Sequence, residues 1–267
     1  MTALGVIAFS YLQGQQKYGD AARLADVGDL STTLPSSLDA AEVDNYVKVD
    51  WEALLAANPD TVAWLYIPNT AINYPVVQGP DNIHYLTYDF DGDAGWLANY
   101  GAIFMDYRND PTWHDQLYFI YGHHMNDGSM FSDVSGMSNP ERFEKCRDVY
   151  LLSPHGNFHL RTFAIVHISP EEEVVLSNFG DEDQQRAYLY DKIERSAVKA
   201  TDLPDVSAMG QVFAFATCDS ESWGRDLLYA YVVDTSVSGL SGTVGIDSAE
   251  DGQNGFVEEL EVNETSG

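Results

Sequence analysis

Residues 211–233 read QVFAFATCDSESWGRDLLYAYVV. Two apolar runs of strand length flank a short polar turn; Cys218 closes the first, and Arg225, seven positions later, stands at the start of the second. A tight antiparallel pairing returns the start of the second strand to the end of the first, which brings thiol and guanidinium to one cleft. A permanently charged donor fork there stabilises a developing oxyanion and favours thiolate over thiol. Taken singly, each has a plainer reading. A free cysteine is more often a small buried apolar residue, and a lone arginine is more often in a surface ion pair, here with Asp219, Glu221 or Asp226.

Outward from this hairpin, short apolar runs bounded by turn residues recur from Val62 onward: VAWLYI, INYPVV, GAIFMDY, QLYFIYGH, VYLLS, NFHLRTFAIVHI, and the two already quoted. Eight such runs predict a mostly β domain, a barrel or a sandwich. One helix interrupts them. DEDQQRAYLYDKIERSAV sets Ala187, Tyr188, Ile193 and Val198 among polar residues, with acids at its start and Lys192, Arg195 and Lys199 toward its end, so a long strand-helix-strand crossover is expected. Residues 15–57 carry helical spacing and read as helices packed on the later core, and 58–240 reads as one domain. Residues 1–14 are mostly apolar but shorter than the roughly 20 residues of a membrane span; they read as the end of a signal anchor followed by a juxtamembrane segment.

Acidic residues outnumber basic ones 42 to 13 in the 267-residue chain, for a formal net charge of -29. Such a surface repels phosphate backbones, which argues against a nucleic-acid partner. Residues 241–267 concentrate acids with little to bury and read as a disordered tail. The only two cysteines, Cys146 and Cys218, provide no disulfide framework and no zinc spacing. Cys146, in ERFEKCRDVY, reads as structural.

The third candidate lies in LYFIYGHHMNDGSMF, residues 117–131, where His123 follows a strand. An imidazole at a strand end can give a proton to a leaving amine and take one from an incoming amine. His123 and His124 with His155 or His159 also raise a metal site, but no HExxH pattern or carboxylate set accompanies them. Among supporting residues, Thr217 is placed to donate its hydroxyl to a substrate or to serve as a β-branched strand residue; Tyr107 and Asn109 are candidates to line a groove or, the plainer reading, to support the fold, and His124 is a further groove candidate.

A strand-end YGH, a strand-end TC and an arginine soon after it form an ordered set. In these motifs, and in NPDTVAWLYIPNTAINYPVVQGPDNIHYLTYDFDG and GAIFMDYRND, the chain resembles the sortases, cysteine transpeptidases of Gram-positive cell surfaces, and among them class B. The resemblance runs from about Asn58 to Asp234. It implies a closed eight-stranded β-barrel with N-terminal helices and one long helix inserted between late strands. It further implies that Cys218 attacks a sorting signal of a surface protein after its threonine, that His123 protonates the departing amine, and that Arg225 holds the oxyanion. The thioester then passes to an amine of a peptidoglycan cross-bridge or a pilin, with no metal or organic cofactor. Two positions depart from the family pattern: His124 stands where asparagine is common, and the interval from Cys218 to Arg225 is short.

Two rival readings remain: a cysteine peptidase of another fold that only hydrolyses, and a non-enzymatic surface β protein in which Cys218 is buried. The expected location is the outer face of the cytoplasmic membrane, tethered by the N-terminal segment.

Overall fold

A computed structural model describes residues 3–27, 40–43, 46–94, 100–169, 172, 177–218, 224–238 and 240. Eight strands form a closed barrel: β1 Thr61–Tyr66, β2 Asn73–Val77, β3 Ile103–Met105, β4 Leu117–Gly122, β5 Asp148–Leu152, β6 Phe158–Ile168, β7 Val212–Cys218 and β8 Arg225–Thr235. Around the barrel they run β1-β2-β3-β4-β7-β8-β6-β5. Each of the eight apolar runs supplies one strand. Closure leaves no open sheet edge.

The runs are continuous rather than alternating because much of the wall is buried on both faces. On β7 and β8, Phe213, Phe215, Leu228, Ala230 and Val232 belong to the main core with Trp64, Tyr118 and Phe158. Val212, Ala214, Ala216, Leu227, Tyr229 and Tyr231 belong to a second apolar layer with Phe163 and Leu189. Leu189 comes from the long helix Glu182–Arg195, which lies in the connection from β6 to β7.

That helix begins where its chemistry says it should. Asp181 accepts a hydrogen bond from the Gln184 amide at 2.8 Å, acids occupy the first turn, and Lys192 and Arg195 the last. It stops short of the sequence expectation because Ser196 leaves helical geometry. The Ser196 hydroxyl instead donates to the Val198 carbonyl at 2.6 Å and accepts from the Ile165 amide at 2.9 Å.

Two pairings in the barrel are parallel, β2 with β3 and β4 with β7; the remaining six are antiparallel. The β4–β7 pairing places the site. A parallel neighbour needs a long connection, here one that carries β5, β6 and the long helix.

In the N-terminal region, helix α1 Ala3–Leu24 runs unbroken through the position expected to separate an anchor remnant from packed helices. Among the described residues, no helix is long and apolar enough to cross a membrane. Two shorter helices follow, α2 Ala40–Val43 and α3 Trp51–Ala57. Tyr18, Ala21 and Ala25 of the α1 region join the main core. The acidic stretch 241–267 lies outside the described residues.

Candidate active site

Gly122 of β4 is the register partner of Thr217 of β7, and Cys218, the next residue of β7, is the partner of Arg225 at the start of β8. His123 directly follows Gly122. Neighbouring strands lie about 4.8 Å apart, so the backbones of His123, Cys218 and Arg225 stand side by side at one end of three adjacent strands. A groove of about 180 Å³ opens at this end, lined by His123 and Arg225 together with Asn82, Leu86, Phe104, Tyr121, Gly122, Ala216 and Thr217. Cys218 is placed by its backbone; the turn residues 219–223 lie outside the described residues, and with them Asp219 and Glu221.

The His123 ring is held by its surroundings. Its Nε2 lies 2.8 Å from the Leu86 carbonyl oxygen. A carbonyl can only accept, so Nε2 carries a proton and donates it, leaving Nδ1 as the ring nitrogen not engaged by this contact. Leu86 sits in the short helix His84–Thr87. Gly101 backs the same ring: it has φ +55°, and a Cβ there would lie 2.5 Å from the Tyr85 carbonyl oxygen and 2.9 Å from His123 Cδ2. Only glycine suits both the backbone and the space.

Arg225 is exposed, and among the described residues it pairs with no carboxylate. Asp226, one of its expected partners, is buried and instead meets His167, whose Nδ1 lies 3.0 Å from Asp226 Oδ1. Thr217 is 2% exposed and lines the groove, and its hydroxyl has no hydrogen-bond partner among the described residues. A buried hydroxyl left unpaired is costly unless something else satisfies it.

Asn82 and Tyr121 of the lining belong to an ordered polar cluster around Asp106. Arg108 holds both of its carboxylate oxygens at 2.9 Å, the Asn82 amide nitrogen donates at 2.7 Å and the Tyr121 hydroxyl at 3.0 Å. Burial alone would raise the Asp106 pKa, but the hydrogen bonds from Arg108 and Asn82 and the Arg108 charge hold it below the usual carboxylate range. Burial, then the Asp106 charge, drives the Tyr121 phenol well above its ordinary value, so it remains a donor.

Three residues expected in the groove lie beside it. Asn109 is a correction: it is buried, and its side chain is spent inside the molecule. Its amide nitrogen donates at 2.9 Å to both Asp115 and the Leu117 carbonyl, and its oxygen accepts from the Phe119 amide at 3.0 Å. No group is left for a ligand. Tyr107 is exposed and its ring carries the Arg108 guanidinium at 5.4 Å; its amide donates to Asn82, placing it one step behind the lining. His124 turns to the short helix Ser132–Gly136, with Nδ1 3.2 Å from the Ser135 hydroxyl. Sequence reasoning gave no role to Asn82, Leu86 and Tyr121, and Leu86 in particular carries no local signal of contact with a histidine 37 residues away.

Cys146 is 1% exposed; burial raises its thiol pKa, which keeps it protonated and unreactive. Among the described residues, no three His, Cys, Asp or Glu side chains form a metal-binding group. His159 is engaged with Asp148 at 2.9 Å and stacked on Tyr150.

No protein-family model matches the chain. It is similar to Sortase B of Listeria monocytogenes serovar 1/2a (strain ATCC BAA-679 / EGD-e), 28% identical over 222 residues, covering 83% of this chain and 88% of that protein. It is also similar to Sortase B of Staphylococcus aureus (strain NCTC 8325 / PS 47), 27% identical over 194 residues, covering 72% and 78%. Among solved structures, sortase B from B. anthracis in complex with AAEK1 superposes with a TM-score of 0.69 at 26% identity, over 85% of this chain and 99% of that one. The closed barrel and these likenesses define a sortase fold. In sequence and fold the chain is similar to the class B sortases, a likeness that supports a cysteine transpeptidase in general activity.

Proposed function

We propose that Cys218, His123 and Arg225 are the reacting set of a transpeptidase that cleaves a sorting-signal peptide after threonine and transfers the acyl group to an amine. The alignment of three strand ends by the registers Gly122 with Thr217 and Cys218 with Arg225 carries this reading. The Cys218 thiolate adds to the threonine carbonyl carbon, and the resulting oxyanion is met by the Arg225 fork, which among the described residues has no carboxylate to neutralise it. As the C–N bond breaks, protonated His123 gives its Nδ1 proton to the leaving amine, leaving a thioester on Cys218. An amine from a peptidoglycan cross-bridge or a pilin then attacks the thioester. His123 takes the proton it sheds, and the thiolate departs. The unpaired Thr217 hydroxyl supports a role in holding the peptide, since a bound carbonyl would satisfy it.

In this reading residues 58–240 are the catalytic body, 15–57 brace it, and the protein works on the outer face of the cytoplasmic membrane. The test is mass spectrometry of the purified protein with sorting-signal peptides and candidate amines. The expected result is a Cys218 thioester that an added amine converts to a new amide. Release of free acid alone, at every amine concentration, would reduce the protein to a peptidase; no adduct and no turnover would remove the catalytic reading.

A further inference from the structure

We propose that Tyr18 of helix α1 is a positioning residue for His123, so that a helix outside the barrel sets the orientation of the imidazole. The inference rests on the reading of His123 as proton carrier given above. The contact runs through Gly101. Tyr18 is buried, and its hydroxyl donates to the Gly101 carbonyl at 2.5 Å. The Gly101 Cα in turn lies so close to the His123 ring that an added Cβ would stand 3.0 Å from Nε2. A shift of this backbone therefore moves the surface against which the ring rests.

Two neighbours of Tyr18 on α1 reinforce the same seat. The Lys17 ammonium lies 2.7 Å from Asp89 and 2.7 Å from Asp93, tying down the segment that begins just after Leu86, the carbonyl partner of Nε2. Gln15 donates to Asp127 at 3.3 Å, and Asp127 also accepts from the Tyr100 hydroxyl at 2.7 Å. One turn of α1 thus holds chain that precedes His123, at Asp89, Asp93 and Gly101, and the loop that follows it, at Asp127.

Packing alone does not account for the Tyr18 hydroxyl. The ring already meets Tyr74 edge to face at 5.2 Å, a contact phenylalanine would keep. Burial, with the Asp89 charge beside it, raises the phenol pKa well above its ordinary value, so the group remains a hydrogen-bond donor throughout the working range.

The experiment uses the full chain with 15N-labelled histidine and compares wild type with Tyr18→Phe, Lys17→Met, Lys17→Arg and His123→Ala. In Tyr18→Phe the His123 Nε2 and Nδ1 resonances should shift, and kcat should fall roughly three- to tenfold, the effect of losing about one neutral hydrogen bond, with KM little changed. Lys17→Met, at a partly exposed position, should move the same resonances, and Lys17→Arg should restore them. A merely structural role would lower the melting temperature and leave the resonances of the folded protein where they are. Unchanged His123 resonances and kcat in Tyr18→Phe, beside an inactive His123→Ala, would overturn the proposal alone. Full activity in His123→Ala would overturn the functional reading and the proposal with it.

Discussion

On the β4 side of the groove, His123 is held by contacts drawn from far along the chain: the Leu86 carbonyl at 2.8 Å, the backbone of Gly101, and through Gly101 the hydroxyl of Tyr18. On the β8 side, Arg225 is exposed, and what places it is the antiparallel ladder that pairs it with Cys218. The two shoulders divide the work of a site. A proton carrier must present one nitrogen in one direction, which needs tertiary bracing; an oxyanion partner must bring charge and a donor fork to a fixed backbone position, which a strand register supplies. Damage to the two shoulders should therefore look different.

The largest expected effect is at the nucleophile that joins them. Cys218→Ala should lower turnover by more than about 10³-fold with the thermal transition retained, measured by amide formation and circular dichroism. Thiol labelling at neutral pH sharpens this, since one reactive thiol is expected per native wild-type chain and none in the variant, Cys146 being buried. Next comes Arg225→Lys. A point charge cannot reproduce the fork, so kcat should fall by roughly 10²–10³-fold, as for loss of an oxyanion donor, with stability within about 0.5 kcal/mol of wild type, as for an exposed position. Near-normal kcat in this variant would dissolve the contrast between the shoulders.

Gly101→Ala tests the other shoulder and should behave in the opposite way, losing stability and activity together. The new Cβ would meet the Tyr85 carbonyl oxygen at 2.5 Å and the His123 ring at 2.9 Å, at φ +55°. Relief requires the backbone or the imidazole to move. A cost of about 1–3 kcal/mol and roughly a tenfold loss of kcat are expected, read from denaturant unfolding and steady-state kinetics. A variant as stable and active as wild type would mean that the ring does not rest on this backbone.

The same contrast explains what could be read in advance. The hairpin shoulder was legible because Cys218 and Arg225 are local in sequence and a tight turn leaves little choice of register. The eight strands were legible from apolar runs punctuated by turn residues. Their order was not, since nothing in a run such as LYFIYG announces a parallel partner almost a hundred residues later; His123 was placed at a strand end, but its neighbour strand came only from the β4–β7 pairing. Asn109 shows the converse limit. An asparagine just past a strand reads as a groove residue or, more plainly, as a support of the fold, and its three buried hydrogen bonds decide for the fold.

The last test is one of pH and bears on the His123 shoulder. Tyr74, whose hydroxyl accepts from the Met130 amide in the loop after His123, has its pKa raised by burial to about 12, and Tyr85, beside Leu86, is likewise raised by burial to about 12. In the unfolded chain both ionise near the ordinary value of about 10. Below pH 10 both states are protonated and the stabilisation is complete. Between about pH 10 and 12 the unfolded chain holds fewer protons than the folded one, so stability falls as pH rises, by up to roughly 2–3 kcal/mol for the buried Tyr74. The β7–β8 hairpin carries its own buried phenol, Tyr229, whose pKa burial likewise raises. Tyrosine absorbance and melting temperature across this range, in wild type and Tyr74→Phe, read the effect: the variant should lose less stability between pH 10 and 12 than wild type. An equal loss would place the alkaline weakness elsewhere in the barrel and remove the bracing loop from the account of how His123 is held.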